Sequence, residues 1–311
     1  MSQPAIKIEN LVKSFEGKVA LDGVSLEIFS GELFGLIGPD GAGKTTLMRI
    51  LCGLLDADQG FCWVLGKDVS KEQKKVRTII GYMPERFSLY PDLSVNENLK
   101  FFAQLFQVPE EERRQREKRL LEFSGLDAFQ TRRAGQLSGG MKQKLALACT
   151  LVHQPKVLIL DEPTTGVDPV SRDEFWKILG ELRQAGTTIL ISTPYLDEAE
   201  VCDRVALIYR GKILACAKPK QLVELFPGEL FELSGENLIL LAKKLKDVKE
   251  ILDVQLFGDR LHLHLEKDKN GRKVILQALE SLNRTDLVPQ KISPRLENIF
   301  AWLIKQAEER E

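Results

Sequence analysis

The sequence predicts an α/β fold with a parallel core sheet, and three apolar segments carry that prediction. Leu33–Ile37 is an apolar run that is followed by a glycine-rich turn and then by residues with helical apolar spacing. Val157–Leu160 and Thr187–Ser192 have the composition of two further buried strands, and helical patterns follow them. Strands that are buried on both faces are typical of parallel sheets covered by helices.

The composition is that of an ordinary globular protein. Of the 311 residues, 43% are hydrophobic and 29% are charged, which suits one large domain and a small one. The net charge of −1 offers no basic surface, so we expect no nucleic-acid partner. We find no signal peptide and no run near the ~18 apolar residues of a membrane helix. We therefore expect a cytoplasmic chain, and any membrane role of this chain would come through a partner. Its five cysteines are expected to be reduced thiols in the core.

The glycine-rich turn matches the pattern G-x-x-x-x-G-K-[ST] between a strand and a helix. Its residues are Gly38, Pro39, Asp40, Gly41, Ala42, Gly43, Lys44, Thr45 and Thr46. Glycines allow successive backbone N–H groups to face an anion, and the helix that follows aims its positive end at the same point. Lys44 is then expected to neutralise the β- and γ-phosphates, and Thr45 to offer its hydroxyl to Mg²⁺. The sequence therefore predicts a nucleoside triphosphate site.

Two acids, Asp161 and Glu162, follow directly on the apolar run Val157–Leu160. The carboxyl ends of parallel strands are where open α/β sheets bind their ligands. We expect Asp161 to hold Mg²⁺ through water and Glu162 to polarise the water that attacks the terminal phosphate.

A third pattern is the pentapeptide Leu137–Met141, which contains Ser138, Gly139 and Gly140 and opens a predicted helix. A capping serine followed by two glycines leaves helix N-terminal amides uncovered, which suits an anion. Alone, this pattern is weak evidence.

These patterns occur together and in this order with Gly166–Pro169, and so resemble the nucleotide-binding subunit of ABC transporters over residues 5–220. The resemblance implies a P-loop NTPase cassette with a parallel core sheet, an antiparallel β subdomain and a helical subdomain. It also implies ATP and Mg²⁺ as ligands and a location on the cytoplasmic face of the membrane. Two cassettes, identical or related, would face each other head to tail. The ATP on one loop would then be capped by Ser138, Gly139 and Gly140 of the other.

The resemblance implies further roles for single residues. Phe15 would stack on adenine, although from the sequence alone it is equally consistent with a core residue. Asp168 would belong to the loop that connects the two sites. Glu85 stands where the family usually has Gln, whose amide helps to order Mg²⁺ and the attacking water. The segment Pro84–Asn98 would meet the membrane subunit.

Residues 229–311 predict a small α+β domain with the ferredoxin-like order β-α-β-β-α-β and a last helix from Pro294. Such a C-terminal extension is similar to the ABC-2 type exporter ATPases, whose permease is a separate chain. His262 and His264 alternate with leucines, so a metal site is one interpretation, but a polar strand face is the expected one.

One departure from the family pattern concerns catalysis. The family places a His that reaches the γ-phosphate at position 194, where this chain has Pro194. Proline supplies neither a side-chain donor nor a backbone N–H, so we expect slower hydrolysis. The expected function is an ATPase subunit that powers export through a separate permease. The alternatives are a subunit with little turnover of its own that pairs with an active cassette, and a soluble ABC protein that acts outside transport.

Overall fold

The computed structural model describes residues 3–86, 89–267 and 270–309. The chain forms two compact units, residues 1–219 and 220–311. The helices and strands of the first unit are β1 (Pro4–Phe15), β2 (Lys18–Phe29), β3 (Leu33–Ile37), α1 (Lys44–Leu51), β4 (Gln59–Val64), β5 (Lys67–Asp68), α2 (Gln73–Ile79), β6 (Ile80–Met83), α3 (Val95–Leu105), α4 (Glu110–Ser124), α5 (Gly139–Leu151), β7 (Val157–Asp161), α6 (Pro169–Gln184), β8 (Thr188–Thr193), α7 (Leu196–Ala199), β9 (Arg204–Tyr209) and β10 (Lys212–Ala217).

The central sheet of the first unit has the strand order β10-β9-β3-β8-β7-β6. Its strands from β9 to β6 are parallel, and β10 forms an antiparallel edge. Every residue of β3 and β7 is buried, as expected for strands covered on both faces. The predicted α/β class with a parallel core sheet is confirmed. The carboxyl ends of β3, β7 and β8 therefore lie next to one another.

A second, antiparallel sheet has the order β2-β1-β4-β5 and shares a hydrophobic core with α1 and the central sheet. The β1–β2 hairpin turns at Glu16 and Gly17, both of which have positive φ. The dipeptide Asp22-Gly23 has the sequence of a turn and predicts one before Val24, but this prediction is wrong, because both residues lie within β2 at an irregular stretch of its pairing with β1.

The helical subdomain of the first unit consists of α3, α4 and α5, which pack around their own apolar cluster. Ser94 and Glu97 form a capping box at the start of α3. The helix α5 contributes Leu145, Ala148 and Cys149 to this cluster.

In the second unit, α8 (Pro219–Glu224) precedes a four-stranded antiparallel sheet. The further elements are β11 (Glu229–Ser234), α9 (Leu238–Leu245), β12 (Ile251–Phe257), β13 (Arg260–Leu265), α10 (Gly271–Ser281), β14 (Gln290–Ile292) and α11 (Leu296–Glu308). The strand order is β12-β13-β11-β14, and the leucines of β13 face the core that α9 and α10 cover.

The five cysteines differ in their exposure to solvent. Four cysteines are buried, but Cys216 is exposed on β10, so the expectation of core thiols is wrong for that residue. In the parts of the chain that the structure describes, each helix is either too short or too polar to cross a bilayer.

Candidate nucleotide-binding site

The glycine-rich loop connects the end of β3 to Lys44, the first residue of α1. Gly41 and Gly43 have φ of 76° and 108°, which L side chains rarely adopt. A Cβ atom at Gly43 would lie 2.4 Å from the carbonyl oxygen of Ala20, and one at Gly38 would lie 2.3 Å from that of Ile208. Gly43 is the cap of α1 and has no side chain with which to bond the first amides of the helix. The loop thus leaves main-chain N–H groups available for an anion.

Lys44 is buried, and its ammonium group joins this loop to the end of β7. Nζ donates hydrogen bonds to the carbonyl oxygens of Gly38 at 2.8 Å and Pro39 at 3.1 Å. It also forms an ion pair of 3.0 Å with Oε1 of Glu162. A buried ammonium group requires such partners. Their positions show that the lysine and one of the predicted acids reach the same point.

Asp161 is fully buried at the last position of β7. Its Oδ1 accepts a hydrogen bond of 2.7 Å from the hydroxyl of Ser192 at the end of β8. Its Oδ2 is buried and has no hydrogen-bond partner among the described residues. Because an unpaired buried carboxylate oxygen is costly, this atom fits a cation or a cation-bound water. The donor set is therefore suited to the predicted Mg²⁺.

Glu162 has a left-handed backbone conformation, with φ of 47°. Its N–H group is directed at Ser192, with 3.0 Å to the side-chain oxygen and 3.2 Å to the carbonyl oxygen. Ser192 thus contacts both acids, which sequence reasoning missed. The available signal was a hydroxyl residue that ends an apolar strand next to the acid-bearing strand.

A cavity of about 340 Å³ lies between the loop and these acids. Its lining residues come from the loop, from the ends of β2 and β7 and from the segment after β6. They are Ala20, Asp40, Gly41, Gly43, Lys44, Thr45, Thr46, Glu85, Glu162 and Thr165. The structure thus brings together Lys44, Thr45, Glu85 and Glu162. Tyr82 lies nearby, and burial together with the charge of Asp161 raises its pKa to about 12.

A second group of predicted residues lies outside this cavity in the described structure and consists of Ser138, Gly139, Gly140 and Asp168. Ser138 caps α5 by accepting a hydrogen bond from the N–H of Met141, and Asp168 caps α6 by accepting one from Ser171. The hydrogen bond from the N–H group of Ser171 is the main reason why the pKa of the Asp168 carboxyl is lowered. A Cβ atom at Gly140 would lie 2.3 Å from Oγ of Ser171, so Gly140 packs against the start of α6.

The second group lines a different cavity, of about 380 Å³, through Gly139 and Gly166. Glu85 and Thr165 line both cavities. Part of the predicted membrane-contact segment also lies here, but its residues 87 and 88 are outside the described residues.

Phe15 lies apart from the lining residues that the structure describes. Its side chain is 46% exposed, so the alternative of a core residue is wrong. The ammonium group of Lys13 lies 5.5 Å from the ring centroid, and the strand partner of Phe15 is Lys18, two residues before Ala20. An exposed ring close to the cavity wall leaves adenine stacking as its predicted role.

His262 and His264 lie on β13 in the sheet of the second unit, on the face opposite to its leucine core. His262 Nδ1 contacts the amide of Asn298 at 2.9 Å, Nε2 contacts Glu232 at 3.2 Å, and His264 contacts the carbonyl oxygen of Pro227. Within the described residues, no group of three or more His, Cys, Asp and Glu side chains is arranged to hold a metal ion. The two histidines form their contacts within the second unit.

A glycine-rich loop, a buried lysine and two acids at adjacent ends of a parallel sheet define the chain as a P-loop nucleotide-binding cassette. The family profile described as ABC transporter matches residues 21–165. The chain belongs to the ATP-binding proteins of ABC transporters, since a relative of similar length is 37% identical. That relative is the Nod factor export ATP-binding protein I of Burkholderia pseudomallei, and the match covers 86% of this chain and 88% of the relative.

Another relative is longer. The probable multidrug ABC transporter ATP-binding protein YbhF of Escherichia coli is 43% identical over 98% of this chain. The chain spans about half the length of that protein, with 53% covered.

Solved structures agree with this assignment. The chain is similar to cbiO1 from Clostridium perfringens, part of the ABC transporter complex cbiONQ, with 32% identity and a TM-score of 0.67. That match covers 72% of this chain and 92% of cbiO1. It is also similar to the dimeric ATP-binding cassette MJ0796 bound to ADP and Pi, with 28% identity, a TM-score of 0.62 and coverage of 68% and 98%. The predicted P-loop ABC cassette fold is confirmed.

Proposed function

We propose that this chain binds and hydrolyses ATP to power export through a separate membrane permease of the ABC-2 type. The observation that carries the proposal is the convergence of Lys44, Glu162 and Asp161. The ammonium group and the two acids lie at the ends of adjacent elements, beside free amides of the glycine-rich loop. These are the groups that transfer of a phosphoryl group to water requires.

Each residue has a distinct task in this proposal. The loop amides and Lys44 bind the β- and γ-phosphates, and Lys44 exchanges its contact with Glu162 for the phosphate. Released from Lys44, the Glu162 carboxylate accepts a hydrogen bond from the attacking water and orients it. Thr45, Asp161 and Glu85 would hold Mg²⁺, which supplies neutralisation of the charge that develops on the phosphate oxygens.

A second cassette completes the site in this proposal. Ser138, Gly139 and Gly140 lie outside the cavity of the glycine-rich loop in their own chain, and Ser138 and Gly139 are exposed, so this end of α5 would reach the phosphates held by another chain. The similarity to the dimeric cassette MJ0796 supports this arrangement. Phe15 would stack on the adenine, and Asp168 would lie where the two chains meet.

The identity of the partner rests on the relatives. One similar protein is named for export of Nod factor and another is a probable multidrug transporter component, so export is the direction we propose. The cassette would lie on the cytoplasmic face of the membrane, with the segment from Pro84 to Asn98 against the permease. A small accessory role for residues 220–311 completes the proposal.

The test is turnover of Mg-ATP by the purified chain, alone and with its co-purified membrane partner. Turnover that Glu162→Gln abolishes supports the proposal. Tight ATP binding without turnover in both preparations would instead indicate the subunit that lends its serine and glycines to an active cassette. Isolation of the complex from membranes identifies the permease and any second cassette, and recovery without a membrane protein would contradict the transport role.

A further inference from the structure

A third carboxylate, that of Glu198, is buried and hydrogen-bonded to the loop that follows Asp161 and Glu162 and to the end of β8. Glu198 is in the short helix α7, and 2% of its side chain is exposed. Its Oε1 accepts a hydrogen bond of 2.7 Å from the hydroxyl of Thr164, and its Oε2 accepts one of 2.5 Å from that of Thr193. A carboxylate at this depth is stable only with such donors. The two threonines and the acid therefore hold one another in place.

The two threonines belong to the chain segments that carry the catalytic groups. Thr164 lies two residues after Glu162 and is itself buried. Thr193 is the last residue of β8 and follows Ser192, whose hydroxyl contacts Asp161. The Glu198 carboxylate thus links the loop after β7 to the end of β8, directly behind the two acids.

Glu198 also reaches the far end of the loop after β7. The guanidinium Nε of Arg172 lies 3.7 Å from Oε1 of Glu198, and the Arg172 group stacks on the ring of Tyr195 at 4.7 Å. The backbone N–H of Arg172 bonds to the carbonyl oxygen of Asp168. Glu198 therefore contacts Arg172 in the first turn of α6, the helix that follows the segment 162–168.

Two backbone hydrogen bonds lie within the segment itself. Thr165 donates its N–H to the carbonyl oxygen of Glu162 at 3.2 Å, and Val167 donates its N–H to that of Thr164 at 3.2 Å. Thr193 additionally accepts the N–H of Tyr195 at 3.0 Å, which closes the turn that contains Pro194. A shift of this segment would move Glu162 relative to Lys44.

We propose that Glu198 is a positioning residue for ATP hydrolysis, which holds the segment 162–168 so that Glu162 stays aligned with Lys44. This inference rests on the proposed function. Among the described residues, Glu198 does not line the cavity of the glycine-rich loop, so it acts through Thr164 and Thr193 and touches no phosphate. Through Arg172, Glu198 also contacts the first turn of α6, the helix that Asp168 caps.

The first test removes each hydroxyl with little change of shape, in Thr164→Val and Thr193→Val of the full chain. We expect kcat to fall about tenfold in each, the factor for one charge-assisted hydrogen bond, with KM for ATP within about twofold. Thr164→Ser and Thr193→Ser keep the hydroxyl and should restore most of kcat. Equal losses in the serine and valine variants, or no loss in the valine variants, would overturn the proposal.

A matched control comes from the same strand. Thr188, at the start of β8, is also buried, and its hydroxyl oxygen accepts the N–H of Gly31 at 3.0 Å. Thr188→Val should lower the melting temperature as the other valine variants do, but leave kcat unchanged. A fall in kcat that follows the melting temperature in all three variants would show a merely structural role and refute the assignment.

The double variant Thr164→Val with Thr193→Val tests the shared partner. If both hydroxyls act through Glu198, the second deletion should cost less than the first, because coupled residues are not additive. Full additivity of the two losses would show that the threonines act independently and would contradict the role of Glu198.

Hydrogen exchange separates this inference from the proposed function, since it needs no turnover. In the valine variants, the amides of Thr165 and Val167 should exchange faster, while those of the glycine-rich loop stay as in the unchanged chain. Unaltered exchange at these amides overturns the positioning role even if ATP is hydrolysed. Absence of turnover in the unchanged chain, with the exchange effect present, counts against the proposed function alone.

Discussion

Two helix N-termini in the first unit look alike in sequence but differ in their surroundings. At α1 the cap is Gly43, and Lys44 with Glu162 stands beside the uncovered amides. At α5 the cap is Ser138, whose hydroxyl oxygen accepts a hydrogen bond from the N–H of Met141. The first region holds a lysine and a glutamate that can bind and activate, whereas the cap of the second region is neutral, with Arg86 and Lys142 among the residues that line the neighbouring cavity. If both regions bind nucleotide as proposed, this difference means that one chain carries two unequal parts of the site.

The largest expected effect is that of Lys44→Ala, which tests the first region. We expect ATP binding to weaken by about 100-fold or more, because a charge-assisted contact to phosphate is lost. Lys75→Ala is the control, since Lys75 has only an exposed ion pair with Glu72 at 2.8 Å. Calorimetric titration with Mg-ATP measures the change, and circular dichroism verifies the fold. Unchanged affinity in the Lys44 variant would refute the assignment of the loop.

Glu162→Gln separates binding from chemistry within the same region. The amide cannot orient water as a carboxylate does, and we expect turnover to fall about 10²–10³-fold. ATP affinity should stay equal or rise, because Lys44 no longer has to leave an ion pair of 3.0 Å. Single-turnover hydrolysis and nucleotide titration measure the two quantities. Retained turnover would show that another group activates the water.

Substitution of Ser138 tests the second region without disturbing its helix cap. Aspartate and asparagine both cap helices well, so Ser138→Asp and Ser138→Asn should fold alike. Only aspartate repels a phosphate, and we expect it to lower turnover about 10–100-fold while ATP binding to the chain's own loop persists. Comparison of turnover and nucleotide affinity in the two variants decides the matter. Equal turnover in both would mean that Ser138 never meets a phosphate.

Much of this comparison was accessible from the sequence, because it depends on local patterns. The strand–loop–helix around Lys44, the buried strand before Asp161 and the serine cap of α5 each have a short-range signature. The positions at which the structure places them agree with those signatures.

The rest depends on contacts between distant residues, which patterns along the chain do not encode. The dipeptide Asp22-Gly23 is typical of turns, yet it lies at an irregular stretch within β2, because the pairing of β1 with β2 outweighs the local preference for a turn. The bond between Ser192 and Asp161 spans 31 positions, and that between Thr164 and Glu198 spans 34. Both require the register of neighbouring strands to be known first.

Pro194→His should sharpen the comparison by adding a donor to the catalytic region. If a group at this position reaches the γ-phosphate, turnover should rise, by about tenfold for one well-placed donor. Pro194→Ala is the control, because it restores the backbone N–H without an imidazole. Steady-state turnover of the three chains measures the effect. Equal rates in all three would mean that catalysis here does not depend on a group at position 194.

The smallest expected effect concerns pH and lies outside both regions. Burial lowers the pKa of His262 and of His264 in the folded chain. The unfolded chain therefore binds more protons, and stability should fall as pH drops below about 6.5, by at most ~1.4 kcal/mol per pH unit for each histidine. His262 faces Glu232, Arg260 and Asn298, and the contact that Asn298 makes with Nδ1 suits the neutral ring.

Urea unfolding of the full chain at pH 7.5 and pH 5.5 measures this effect, with His262→Gln as the comparison. The variant should lose part of the pH dependence, because glutamine carries no titratable proton. ATP affinity per folded molecule should differ little between the two chains at either pH, since in the described structure neither histidine lines the two cavities. An identical pH slope in both chains would show that protonation of His262 does not oppose folding. A large difference in ATP affinity would contradict the expectation that His262 lies outside the nucleotide site.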